Sequence, residues 1–183
     1  MRELKYHEQK LLKQVDYVNW KKDQNIREVK ILKRYHIQDR EDYTKYQKLC
    51  NLITRLTDHL RKLPPNDKDR IKMTEMLLDK LSSMGVIPLK KSLEETERLA
   101  ASAFCRRRLA VMLVKLKFCE DIKQAVMLVE QGHVRVGPDI ISDPAVHVTR
   151  DMEDNIGWAF GSSIRRKVRE FNEQADDFEL QGN

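Results

Sequence analysis

The 183-residue chain is 40% hydrophobic and 35% charged, with a formal net charge of +6. A compact domain usually carries about a quarter of its residues as charges, so the surplus here must lie on solvated surface or against a charged partner. No apolar run approaches the roughly 20 residues that a bilayer requires. The N-terminal MRELKYHEQKLLKQ also has no apolar leader region, which points to the cytosol or nucleus and to no membrane contact.

The cations are unevenly spread. Residues 1–100 hold 23 Lys and Arg against 16 Asp and Glu, and residues 101–150 hold 8 against 5. Residues 151–183 reverse the balance, with 4 against 8. A polyanion is therefore expected on the first two segments and not on the acidic tail. Cys50, Cys105 and Cys119 are too far apart for a CxxC pair, so neither a structural zinc nor any other metal site is expected.

The first hundred residues read as helix. Leu4, Leu11, Val15 and Val18 share one stripe, with Lys5, Lys10 and Lys13 on the remaining surface. So narrow a stripe suits a helix that docks on a partner, protein or RNA. A second helix is predicted from Ile26 to about Ile37. A third carries Leu49, Leu52, Ile53, Leu56, Leu60 and Leu63 at helical spacing until Pro64-Pro65 stops it. Asp67 is placed to cap a fourth, with Met73, Leu77 and Leu81 inside and Gly85 at its C-terminal stop. Pro88 marks a break, and Ser92-Leu93-Glu94-Glu95 has capping-box spacing for another helix. Tyr6, Tyr17, Trp20, Tyr35, Tyr43 and Tyr46 interleave with lysines. Stacking on unpaired bases would suit them, but their helical spacing favours packing.

From Phe104 the signals sharpen. Leu109, Met112, Leu113 and Leu116 fit one helix; Asp121 caps a second, carrying Ile122, Ala125, Val126 and Val129, which Gly132 closes. The period then changes to two: Val134-Arg135-Val136, a Gly137-Pro138-Asp139 turn and Ile140-Ile141, with Val146-His147-Val148 as one more short strand. Arg106, Arg107 and Arg108 are expected in the first turn of the first helix, with Lys115 and Lys117 in its last. At 100° per residue Arg108 and Lys115 share one face, and Arg106 and Lys117 another. Three cations at a helix start oppose the macrodipole, an arrangement that makes sense against a polyanion. Arginine's planar fork grips phosphate oxygens with paired hydrogen bonds. Gln131, His133 and Arg135 follow on the corner and strand, where polar tips reach a groove edge.

The pattern RRRL…L…A followed by EQGHVRVGPDIISDP resembles the alpha-L RNA-binding motif, first described in small-subunit ribosomal protein S-four. Across the whole chain, LKYHEQKLLKQVDYVNW, HIQDREDYTKY, LLDKLSSMGV, VTRDMED and DDFEL resemble the U3 small nucleolar ribonucleoprotein protein Imp-three family. Leu109-Ala110 stands where that family has Leu-Pro, and residues 155–160 depart from a more aromatic-acidic stretch. The resemblance implies a nucleolar ribosome-assembly factor of the small-subunit processome. Such a factor binds the scaffold protein Mpp-ten and helps U3 small nucleolar RNA pair with pre-ribosomal RNA.

No P-loop, Rossmann glycine fingerprint or nucleophile elbow is present. No enzyme, cofactor or small-molecule substrate is therefore expected. The fold class expected is mainly α with a small α+β module. Residues 1–100 form a helical docking region, 101–171 the alpha-L domain of two helices and short antiparallel strands, and 172–183 an acidic tail. RNA contact is expected at Arg106, Arg107, Arg108, Lys115, Lys117, Gln131, His133 and Arg135. The rivals are a structural small-subunit ribosomal protein of the S-four type and a module that only recruits proteins through its N-terminal helices.

Overall fold

The computed structural model of the chain describes residues 2–14, 22–90 and 92–172. The N-terminal half is helical, with α1 (Tyr6–Gln14), α2 (Lys22–Arg34), the long α3 (Arg40–Lys62), α4 (Lys68–Ser83), α5 (Leu93–Glu97) and α6 (Ala101–Cys105). Then follow α7 (Leu109–Lys115), α8 (Ile122–Glu130), β1 (Val134–Val136), β2 (Asp139–Ile140), α9 (Arg150–Glu153), β3 (Ile156–Trp158) and α10 (Ser163–Phe171). The chain is mainly α with a small antiparallel sheet, as its periodicities predict. No helix among the described residues is long and apolar enough to cross a membrane. Val15 and Val18 of the first predicted stripe lie outside the described residues, as do Tyr17 and Trp20.

The third helix forms where the leucines predict it, but of the predicted stripe only Ile53 and Leu60 pack inward. Cys50, Thr57 and Leu60 turn inward, while Leu49, Leu52, Leu56 and Leu63 stay exposed. The reason is the neighbours: α3 packs on α5 and α6. There Tyr46 stacks on Phe104 at 5.9 Å between centroids, and the buried hydroxyls of Thr57 and Thr96 lie 3.0 Å apart. Tyr35 is likewise buried and Tyr6 exposed, so the described aromatics of this half mostly pack. Asp67 caps α4, accepting the Asp69 N–H at 3.1 Å. Met73, expected inside, is 55% exposed, because Leu78 and Leu81 provide the buried contacts of α4.

In the C-terminal module α7 packs on α8. Leu109, Met112 and Leu113 meet Ala125, Val126, Val129, Val134, Val148 and Ile156 in one core, and each large side chain there contributes about 1.5–3 kcal/mol over exposure. The sheet order is β2-β1-β3, all antiparallel, with Val134 opposite Trp158 and Arg135 opposite Gly157. The third strand is thus Ile156–Trp158 and not Val146–Val148. The latter is extended, with Val148 buried, but its partner is the link between α6 and α7. Leu109 N–H donates to Val146 O at 2.9 Å and Val148 N–H to Arg107 O at 2.8 Å, flanking an isolated Arg108–His147 bridge.

Gly85 ends α4 in the left-handed region at φ +70°. Its N–H donates to Ser82 O and the Val86 N–H to Leu81 O, closing the helix. A Cβ here would lie 2.7 Å from the Arg107 guanidinium carbon. Gly85→Ala is therefore expected to destabilise the fold by about 2 kcal/mol, from left-handed strain and displacement of Arg107. Urea unfolding followed by circular dichroism measures it.

Candidate nucleic-acid interface

Arg106, Arg107 and Arg108 do not form the first turn of a helix. They make the corner between α6 and α7, with Arg106 capping the end of α6 and Arg108 the start of α7. Only Arg106 is exposed, its Nε–H donating to Ser102 O at 3.3 Å. Arg107 is 7% exposed and Arg108 3%. Arg107 donates to Val148 O and to a Glu153 carboxylate oxygen, both at 2.9 Å. Arg108 donates to Asp42 at 2.9 Å and to the Tyr46 hydroxyl at 3.2 Å. The expected row of three outward arginines is thereby corrected: two of the three are consumed inside the protein. Seven-residue α7 is also shorter than predicted, so the shared face of Arg108 with Lys115 does not arise.

The other expected cations lie outside. Lys115 is exposed and donates to the second oxygen of Glu153 at 3.0 Å. Lys117 is exposed in the left-handed region at φ +64°. It closes α7 as glycine usually does: its N–H donates to Val114 O and the Phe118 N–H to Leu113 O. Phe118 then meets Trp158 edge-on at 5.3 Å, joining this end of α7 to the sheet.

Gln131, exposed at the end of α8, leads through Gly132 into His133 and β1. Alternation along β1 buries Val134 and turns Arg135 to the opposite face, where the facing residue Gly157 leaves it room. The Arg135 Nε–H donates to Trp158 O at 3.1 Å, and a second N–H reaches Gly137 O. Its guanidinium lies over the Phe160 ring, 4.4 Å from the centroid, and Arg165 of α10 lies over the same ring at 4.5 Å. His133 Nδ1 is 3.0 Å from Ser162 Oγ, which also accepts the Ile164 N–H and so caps α10. The structure therefore gathers His133 and Arg135, but not Gln131 by any side-chain contact among the described residues, with Phe160, Ser162 and Arg165. The last three were not foreseen. Their signals were the Ser162 cap, the Ile164-Val168-Phe171 spacing and the run Arg165-Arg166-Lys167, whose charge was hidden by averaging with the acidic residues after 172.

Among the described residues no cluster of His, Cys, Asp and Glu could hold a metal ion. The described cysteines are reduced and buried, and burial pushes the Cys105 thiol up to about 11. His147 is held below the ordinary histidine value by burial; its Nε2–H donates to Met84 O at 2.9 Å.

Residues 3–106 match the ribosomal protein S4/S9 N-terminal domain, and residues 107–154 the S4 domain. Relatives match end to end. The U3 small nucleolar ribonucleoprotein protein IMP3 of Homo sapiens is 50% identical over 182 residues, 99% of each chain. That of Saccharomyces cerevisiae is 49% identical over 181 residues, 98% of this chain and 99% of its own. The chain belongs to the U3 small nucleolar ribonucleoprotein protein IMP3 family. The small ribosomal subunit protein uS4 of Hyperthermus butylicus is more distant, 27% identical over 158 residues that cover 86% of this chain and 89% of its own. IMP3 relatives therefore share with this chain the segment beyond residue 154 as well as the S4 domain.

Desolvation alone would raise the Asp42 carboxyl, but hydrogen bonds and charge from Arg108, then Lys45, hold it below the ordinary carboxylate value. Glu153 is depressed in the same way by Lys115 and Arg107. Each folded carboxyl has the lower pKa. Its stabilisation is thus complete above the ordinary range near pH ~4 and is lost as pH falls through the folded value. Asp42→Asn is expected to cost about 3 kcal/mol at neutral pH by leaving Arg108 buried without its carboxylate. It should also flatten the loss of stability on acidification below pH ~4. Urea titrations from neutral to acid pH check both.

Proposed function

We propose that this chain is a non-enzymatic, RNA-binding component of the U3 small nucleolar ribonucleoprotein, acting in small-subunit ribosome biogenesis in the nucleolus. One observation carries the reading: relatives named as U3 small nucleolar ribonucleoprotein proteins match it over nearly their full length at half identity. In this reading the partners are U3 small nucleolar RNA, pre-ribosomal RNA and the Mpp-ten scaffold of the small-subunit processome. The distant uS4 likeness supports the same S4-type RNA binding, and its lower identity makes a permanent ribosomal role the weaker assignment.

The mechanism is electrostatic. Exposed Arg106, Lys115, Lys117 and Gln131 and half-buried His133 and Arg135 meet sugar-phosphate and groove edges, while buried Arg107 and Arg108 shape the corner that carries Arg106. Phosphate contacts position the protein and carry little sequence information, and structured RNA is recognised largely by shape. Neutralising phosphates on two strands lowers their mutual repulsion, which gives this protein a physical route to promoting U3 pairing with pre-ribosomal RNA.

Affinity capture of the chain from cell extract is expected to recover U3 small nucleolar RNA and precursor rRNA. Cosedimentation with mature small subunits instead would overturn the assembly-factor reading in favour of a ribosomal protein. At the residue level, Lys117→Gly should move two properties in opposite directions. Relief of the left-handed strain raises stability by up to about 1 kcal/mol. Loss of one phosphate contact flattens the salt dependence of RNA binding by roughly 0.7–0.9 in log–log slope. An unchanged slope would remove Lys117 from the interface.

A further inference from the structure

We propose that Arg135 and Arg165, both stacked on Phe160, form a two-arginine clamp for RNA phosphate in which Phe160 is the positioning residue. The clamp rests on the RNA-binding reading and extends it past the S4 domain match, which ends at residue 154. Phe160 is 66% exposed, so it fills no core. With guanidinium carbons 4.4 and 4.5 Å from its centroid, the ring is committed to holding cations and not to stacking on a base.

The two arginines also lack what the buried ones have. Arg107 and Arg108 each meet a carboxylate. Among the described residues Arg135 donates only to carbonyl oxygens, which leave its charge uncompensated there and some of its five N–H donors unused. Arg165 is half-buried and, among the described residues, has neither a hydrogen bond nor an ion pair. Two like charges drawn to one ring repel each other, and among the described residues neither forms an ion pair that offsets this. An anion supplied from outside resolves this. A sugar-phosphate strand offers anionic oxygens in close succession, each able to take a forked pair of guanidinium hydrogen bonds.

The arms are held in different ways. Strand pairing and the Trp158 carbonyl fix Arg135, whereas α10 carries Arg165, and its first turn is secured by Ser162. Phe160 lies between the sheet and that helix, so the spacing of the arms depends on its ring.

The test uses the full chain and a fluorescently labelled RNA hairpin with single-stranded flanks, followed by anisotropy across a salt series, with thermal unfolding of every variant. Arg165→Ala is expected to weaken binding roughly tenfold near physiological salt and to flatten the salt slope by roughly 0.7–0.9. Arg165→Gln, which keeps most of the stem, should do the same. Phe160→Leu should weaken binding roughly fivefold in the natural chain and have no effect once Arg135 and Arg165 are both alanine; Phe160→Tyr should bind normally. Unchanged affinity and slope in both Arg165 variants would overturn the clamp while leaving the RNA-binding reading intact. An equal Phe160→Leu loss in the double-alanine background would overturn the positioning role. No binding of the natural chain to RNA would sink both readings. If the Arg165 effect is found on a polyglutamate peptide and not on RNA, the clamp holds an acidic protein and the RNA assignment falls.

Discussion

Two consecutive arginines buried at one corner constrain the whole molecule. A guanidinium withdrawn from water is destabilising by several kcal/mol unless a carboxylate and further acceptors meet it. Arg108 obtains Asp42 and Tyr46 from α3; Arg107 obtains Glu153 from α9 and the Val148 carbonyl. The carboxylates come from opposite sides of the sequence, so the link between α6 and α7 becomes the place where N-terminal helices and C-terminal chain meet. Neighbouring contacts depend on that meeting. Gly85 is bare because Arg107 lies against it, His147 donates to Met84 O, and Arg150 donates to the carbonyls of Ile87 and Pro88. Pairs of this kind add little net stability over apolar packing. Their effect here is register, since shifting either partner would strand a buried charge.

That pairing sorts the cations by role. A basic chain invites every arginine to be read as a contact for a polyanion, yet the most buried ones are balanced internally. Lys115 is intermediate: it shares Glu153 with Arg107 but remains 61% exposed at its side chain, where a surface ion pair is worth little and exchanges easily for phosphate. Arg135 and Arg165 stand at the other extreme, oriented by carbonyls and a ring and, among the described residues, matched by no carboxylate. In the proposed function the useful field comes from this last group and from Lys117, not from net charge.

The sequence made the helices legible because their apolar spacing is long and regular, and the Asp67 cap and Gly85 stop lay at its edges. It was less informative about which face of a helix is buried. In α3 the leucines outnumber Cys50 and Thr57, but the small residues are what the approach of α5 and α6 requires. The strand at Val146–Val148 was misread for a related reason: a period of two reports extended chain, not its partner, and the partner was a helix linker. Arg107 and Arg108 were misread because their carboxylates lie 46 and 66 residues away in sequence, respectively. Neither composition nor spacing carries that information. Phe160 and Arg165 were missed because a basic helix and an acidic tail were averaged together.

The segment after residue 154 changes what the S4 module presents. Without β3, β1 would be an edge strand, and Arg135 would lose the Trp158 carbonyl that aims it. Without Ser162, His133 would keep no side-chain partner among the described residues. Both residues belong to the part of the module that the sequence marks for RNA, yet their orientation is set by chain that follows it. Ordering long cationic side chains on binding costs conformational entropy, about 0.5–1.5 kcal/mol for each. Carbonyl anchors and a shared aromatic ring remove part of that cost before RNA arrives. A surface preorganised in this way can hold phosphates with few cations. That is the physical reason a chain with 29 acidic residues is still able to serve as an RNA-binding protein.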